Sequence, residues 1–131
     1  MSERQAISAA ALVLFGLTVA SVSQARAQQL PQGVTQEMVE EGRGIFTGDG
    51  FCYTCHGNQG QGMQGLGADL TDAEWLHGDG SYSYIVRRVQ QGVSANASTS
   101  GVPMPPRGGA RLTEDEVRAV AAYVWSLSRG G

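Results

Sequence analysis

Near the C-terminus, apolar positions recur at Val117, Val120, Ala121, Val124 and Leu127, the three-and-four spacing of a helix with one buried face. Thr113-Glu114-Asp115-Glu116 precedes them as a capping box, so the pattern predicts a helix reaching about Ser128. A shorter stripe, Ile85, Val86 and Val89, predicts a helix over Tyr82–Gln91, with Ser81 or Asp79 as its cap and Gly92 as its stop. Thr35 is the expected N-cap of an earlier helix running to about Phe46, with Glu37, Glu40 and Glu41 in its early turns. Gly42 and Gly44 each weaken that helix by roughly 1 kcal/mol relative to alanine. A short helix over Leu70–Leu76, capped by Thr71 or Asp72, completes the set. No segment alternates as a strand does, so the expected fold class is all-α, with four or five helices.

Two stretches break the pattern. Gly57 to Gly67 carries glycine at 57, 60, 62, 65 and 67 and cannot be regular structure. It is not a phosphate-binding loop, because no Lys-Ser or Lys-Thr follows it and no apolar strand precedes it. A loop wrapped closely around something flat suits it better. Val93 to Arg111 is a long irregular segment ending in Val102-Pro103-Met104-Pro105-Pro106-Arg107-Gly108-Gly109. Irregular segments of that length in a small domain are usually functional or disordered.

The N-terminus follows a different grammar. Arg4 is followed by an apolar run from Ala6 to Ala20 and by Ala25-Arg26-Ala27, the three parts of a cleavable secretory signal peptide. The expected organisation is therefore a signal peptide at 1–27 and one mature, exported domain at 28–131. The run falls short of the ~20 residues of a membrane span, and an uncleaved anchor is the rival reading. The mature part would have seven arginines, no lysine and eleven acidic residues, a net charge of −4. That balance argues against nucleic acid or an anionic membrane surface as the main partner. A domain of 104 residues buries a limited core and often depends on a disulfide, a metal or a cofactor.

Cys52 and Cys55 are the only cysteines. A disulfide between them would close a tiny loop and add little stability. A thioredoxin-like site needs a βαβ context, and a four-ligand zinc site needs another ligand pair besides His56 and His77. Cys52-Tyr53-Thr54-Cys55-His56 instead has the form of a c-type haem attachment sequence. Thiols about one helical turn apart can reach the two vinyl groups on one porphyrin edge, and the next histidine is turned toward the iron. Met104 is the favoured sixth ligand, because Pro103 and Pro105 restrict the backbone beside it. Met63, only seven residues past His56, has little room to reach the other haem face. Met38 reads as core, and His77 is the competing ligand, with a turn position as its plainer role. Histidine and methionine together would leave no open iron site and would raise the reduction potential relative to two histidines.

With these residues in view, the chain resembles the class I cytochromes c over nearly all of its mature region. Gly42 and Phe46 match the family's N-terminal helix, Val120 and Tyr123 match the C-terminal helix that crosses it, and Met104 matches the axial methionine. Leu70, Trp75-Leu76 and Gly92-Val93 resemble small bacterial periplasmic cytochromes and the cytochrome c domains attached to oxidases and dehydrogenases. The resemblance implies a cytochrome c fold around one covalent haem c, with crossed terminal helices. It implies haem attachment at Cys52 and Cys55 and axial ligation by His56 and Met104. One departure stands out. Gly67-Ala68-Asp69-Leu70 replaces the family's frequent Gly-Pro-x-Leu, whose proline carbonyl accepts a hydrogen bond from the ligating histidine. The lysine ring that many members present to partners is missing too.

The expected function is electron transfer without catalysis: a periplasmic carrier between a redox donor and acceptor that the sequence does not name. The alternative is a cytochrome c subunit bound tightly to a periplasmic dehydrogenase or a terminal oxidase. A ligand-sensing or catalytic protein with an open iron site is the rival class. Trp75, Tyr82, Tyr84, Trp125, Arg87, Arg88 and Arg107 could donate to haem propionates, Arg107 foremost, but packing is the plainer role of the aromatics and a solvated surface that of the arginines.

Overall fold

The computed structural model describes residues 29–130. The expected signal peptide, its cleavage site and the rival anchor lie outside them. Among the described residues there are four α-helices and no strand: α1 (Gln36–Thr47), α2 (Tyr53–His56), α3 (Tyr82–Gln91) and α4 (Glu114–Leu127). None is long and apolar enough to cross a membrane.

Local side-chain chemistry sets the helix starts. Thr35 accepts from the Met38 amide at the head of α1, and Ser81 accepts from Tyr84 at the head of α3. Asp79, the other candidate cap, instead accepts from the Ser81 amide one turn earlier. At α4 the capping box is complete: Thr113 Oγ1 accepts from Glu116 N at 3.2 Å, and Thr113 N donates to Glu116 Oε2 at 2.7 Å. That backbone donor holds the Glu116 carboxyl below its ordinary pKa, helped by the Thr113 hydroxyl. The stabilisation is therefore present above the ordinary pKa and fades as pH falls through the lowered folded value. Thr113→Ala is expected to cost about 1 kcal/mol and lower the melting temperature by roughly 4–8 °C, measured by thermal denaturation.

The expected helix at 70–76 is absent. Asp69 accepts from both the Thr71 amide and hydroxyl, and Asp72 accepts from the Glu74 amide. Those side chains satisfy backbone donors in turns that compete with a helix.

α1 and α4 pack directly on each other. Gly42 is buried on α1, and a Cβ there would lie 1.9 Å from the Ala119 carbonyl oxygen, so only glycine lets the two backbones meet. Phe46 packs edge-on against Tyr123 at 5.3 Å between ring centres. Val117 and Val120 are fully buried beneath them, and Ile85 and Val89 bring α3 into the same core. Tyr82 of α3 donates to the Arg118 carbonyl of α4 at 3.2 Å. This frame leaves the loops at 57–81 and 92–113 to surround the cysteine motif.

Candidate functional site

The site starts from α2, a single turn of helix. His56 N and Cys55 N both donate to the Cys52 carbonyl, at 3.0 and 3.2 Å, so the cysteines and the histidine are fixed within one turn. The two cysteines form no disulfide with each other. Burial pushes the Cys52 thiol up to about 11, so it is no ready thiolate of the kind redox-active dithiols require.

His56 is oriented from behind. Its Nδ1 lies 2.8 Å from the Ala68 carbonyl oxygen. A carbonyl can only accept, so Nδ1 carries the proton and Nε2 presents its lone pair. The histidine bond therefore persists without the family's proline, because the acceptor is a backbone atom that any residue supplies. Burial holds the imidazole below its ordinary pKa, against the opposing pull of the Ala68 bond, and the neutral form is the one that binds a metal. Gly67 permits this arrangement: a Cβ there would sit 2.3 Å from the Cys55 carbonyl oxygen.

Above α2 opens a cavity of about 630 Å³, within the range of cofactor sites. Cys52, Cys55, His56 and Met104 all line it, and so do Met63 and His77. The sulfur donors differ in attachment. Gly62 N donates to the His56 carbonyl at 2.8 Å, which ties Met63 to the same wall as His56. Met104 belongs to another wall: its N–H donates to the Val93 carbonyl at 2.9 Å, and its carbonyl accepts from Val93 N–H at 2.8 Å. Gly92 allows that pairing, since its φ is +69° and a Cβ would lie 2.2 Å from the Met104 oxygen. The role of Val93 was the part of the site that sequence reasoning missed. The pairing is made by main-chain atoms alone, so no side chain in the sequence announces it.

Several of the candidate propionate donors contact other residues of the chain. Trp75 and Tyr84 stack edge-on, and the Arg88 guanidinium lies over the Tyr84 ring at 5.2 Å. The Arg107 guanidinium turns to the Leu112 carbonyl and the Glu114 carboxylate. The lining includes Asp69 but neither lysine nor arginine. A cavity of this size and low charge, with two thiols one turn apart, a neutral imidazole and a thioether, fits a haem with covalent attachment.

Comparison with known proteins decides the family. The family described as Cytochrome c matches residues 39–128. The chain belongs to the cytochrome c family. Cytochrome CL from Methylophaga aminisulfidivorans shares its fold, with a TM-score of 0.55 at 19% identity over 79% of this chain and 71% of that one. Among curated relatives, the cbb3-type cytochrome c oxidase subunit CcoP of Rubrivivax gelatinosus is 38% identical over 60% of this chain and 23% of its own length. CcoP of Cereibacter sphaeroides is 37% identical, over 69% and 28%. FixP of Sinorhizobium medicae is 35% identical, over 72% and 32%. This cytochrome c thus spans about a quarter to a third of the curated relatives it matches. As a cytochrome c domain it binds haem c covalently and serves electron transfer.

Proposed function

We propose that this cytochrome c is a one-electron carrier of the periplasm, its mature domain at 28–131, with haem attached through Cys52 and Cys55 and ligated by His56 and Met104. The observation that carries the reading is the convergence of these four side chains on one cavity, from two separately anchored walls. When bound, the haem supplies an iron that alternates between Fe(II) and Fe(III). The chain's own residues do the rest. Ala68 fixes the His56 ring and its tautomer. Val93 fixes the backbone of Met104 through two hydrogen bonds. A thioether ligand at Met104 favours the reduced iron and raises the potential. With His56 and Met104 both holding the iron, no coordination site would be left for oxygen or peroxide.

A second reading keeps the same chemistry but places the domain in a larger assembly, as a subunit bound to a terminal oxidase or a dehydrogenase. The likeness to CcoP and FixP, named as oxidase subunits, supports it. Native purification separates the two: a free monomer supports the carrier, and a stable complex supports the subunit.

The ligand assignment has its own test. The ferric protein is expected to show the far-red methionine-to-iron band and to bind cyanide slowly. Met104→Ala is expected to lose the band, lower the potential and bind cyanide fast, while Met63→Ala and His77→Ala keep the band. A band that survives in Met104→Ala and vanishes in Met63→Ala would reassign the ligand.

A further inference from the structure

Arg107 follows Met104 by three residues and has a left-handed backbone, φ 57° and ψ 27°. That conformation suits glycine or asparagine and disfavours residues with a longer side chain. Gly108 and Gly109, which follow, are left-handed as well, yet an arginine holds this position. Its guanidinium makes two directed contacts. Nη1 donates to the carbonyl of Leu112, a buried residue just ahead of the α4 cap, and Nη2 donates to Oε1 of Glu114, the first residue of α4. The other Glu114 oxygen accepts from Gln90 Nε2 near the end of α3 at 2.7 Å. One side chain thereby joins the methionine loop to both helices that flank it.

The segment between Met104 and Arg107 is stiff. Pro105 and Pro106 fix two successive φ angles. Met104 is held by Val93 at one end of this segment, and Arg107 is held by Leu112 and Glu114 at the other. The clamp lies outside the cavity, which Pro105 and Gly108 line on either side of Arg107.

We infer that Arg107 is a positioning residue for the axial methionine. Its guanidinium, through Leu112 and Glu114, ties the far end of the Pro105-Pro106 segment to the head of α4 and keeps the Met104 thioether in ligating position. The inference rests on Met104 being the axial ligand. Loosening the clamp leaves the ligand in place chemically but lets it leave the iron more often, so an added ligand enters faster.

The test uses haem-loaded ferric protein and the rate of cyanide binding, with the far-red band and the melting temperature measured alongside. Arg107→Asn keeps a residue that tolerates the left-handed backbone but cannot span to Leu112 and Glu114. It is expected to bind cyanide about tenfold faster, the scale of one lost charge-assisted hydrogen bond. Glu114→Gln, at an exposed site, is expected to accelerate binding a few-fold and carries the test if Arg107→Asn yields no holoprotein. Thr35→Ala strips the α1 cap far from the loop; it is expected to lower the melting temperature and leave the cyanide rate unchanged. If the wild-type band is present and neither loop variant exceeds twofold, the clamp is overturned. It is overturned equally if Thr35→Ala accelerates cyanide as much as Arg107→Asn at the same loss of melting temperature. A wild-type protein with no band and immediate cyanide binding would sink the methionine assignment, and the clamp with it.

Discussion

Replacing Cys52 and Cys55 together by alanine is expected to yield a chain with no covalently held haem and little stable structure. The reason is the ratio of cavity to core. A cavity of about 630 Å³ without its occupant would leave a wide apolar lining without packing partners, a large cost for so small a domain. Water entering through the open mouth lowers that cost, but a small domain has only about 5–15 kcal/mol of stability in all. The core that remains is mostly valines, alanines and a few aromatics on α1, α3 and α4. Expression in a host competent for haem attachment, followed by acid extraction and a pyridine haemochrome spectrum, reads the first half of the prediction. Far-ultraviolet circular dichroism reads the second. Haem that resists extraction in the double variant would disprove attachment at these cysteines.

The second large effect lies far from the cofactor. Gly42→Ala is expected to lower the melting temperature by roughly 10–20 °C, and Gly42→Val to prevent folding. An added Cβ would stand 1.9 Å from the Ala119 oxygen, 2.5 Å from its carbonyl carbon and 3.0 Å from Tyr123 Cβ. Two of those atoms are backbone in a fully buried stretch of α4, so the helices would have to separate. The ~1 kcal/mol that alanine adds in helix propensity is too small to offset this. Gly44 supplies the control. It lies two residues along the same helix with nothing within 4 Å of its missing Cβ, so Gly44→Ala is expected to raise stability by about 1 kcal/mol. Opposite signs in chemical denaturation confirm the crossing contact; equal signs contradict it.

That contrast also marks what the sequence could reveal. Read alone, Gly42 and Gly44 carry the same helix penalty, and only the approach of Ala119 separates them. The helices bounded by Thr35, Ser81 and Thr113 were legible because a cap and an apolar period are local signals. The stretch at 70–76 misled because aspartate and threonine that can cap a helix can equally close a turn, and Asp69 and Asp72 do the latter. The haem motif was legible from residue type and spacing, and the structure brings Met104 to the lining of the same cavity. Val93 was not legible, because a backbone pairing across ten residues leaves no side-chain mark. Arg107, weighed from its sequence position between a haem-edge and a surface role, turns its guanidinium to Leu112 and Glu114, partners that residue spacing alone does not reveal. The Ala68 carbonyl was legible as well: Gly67-Ala68-Asp69-Leu70 lacks the proline but keeps a main-chain carbonyl at that place, and His56 uses it.

The Val93–Met104 pairing closes residues 94–103 into a loop whose later part, Ser98 to Ser100 with Val102 and Pro103, lines the cavity. Its base is pinned beside α3, and Ser100 adds a tether to the Leu66 carbonyl at 3.1 Å. Its tip, Ala95 to Ala97, is exposed. Lengthening a loop raises its closure entropy only slowly, by about 0.6 kcal/mol per doubling. The tip can therefore be lengthened, shortened or rewritten while the sulfur donor keeps its place. Here the fold holds a module for change beside a residue that must stay still, so a lineage or an engineer can give the domain a new outer face without rebuilding its redox centre.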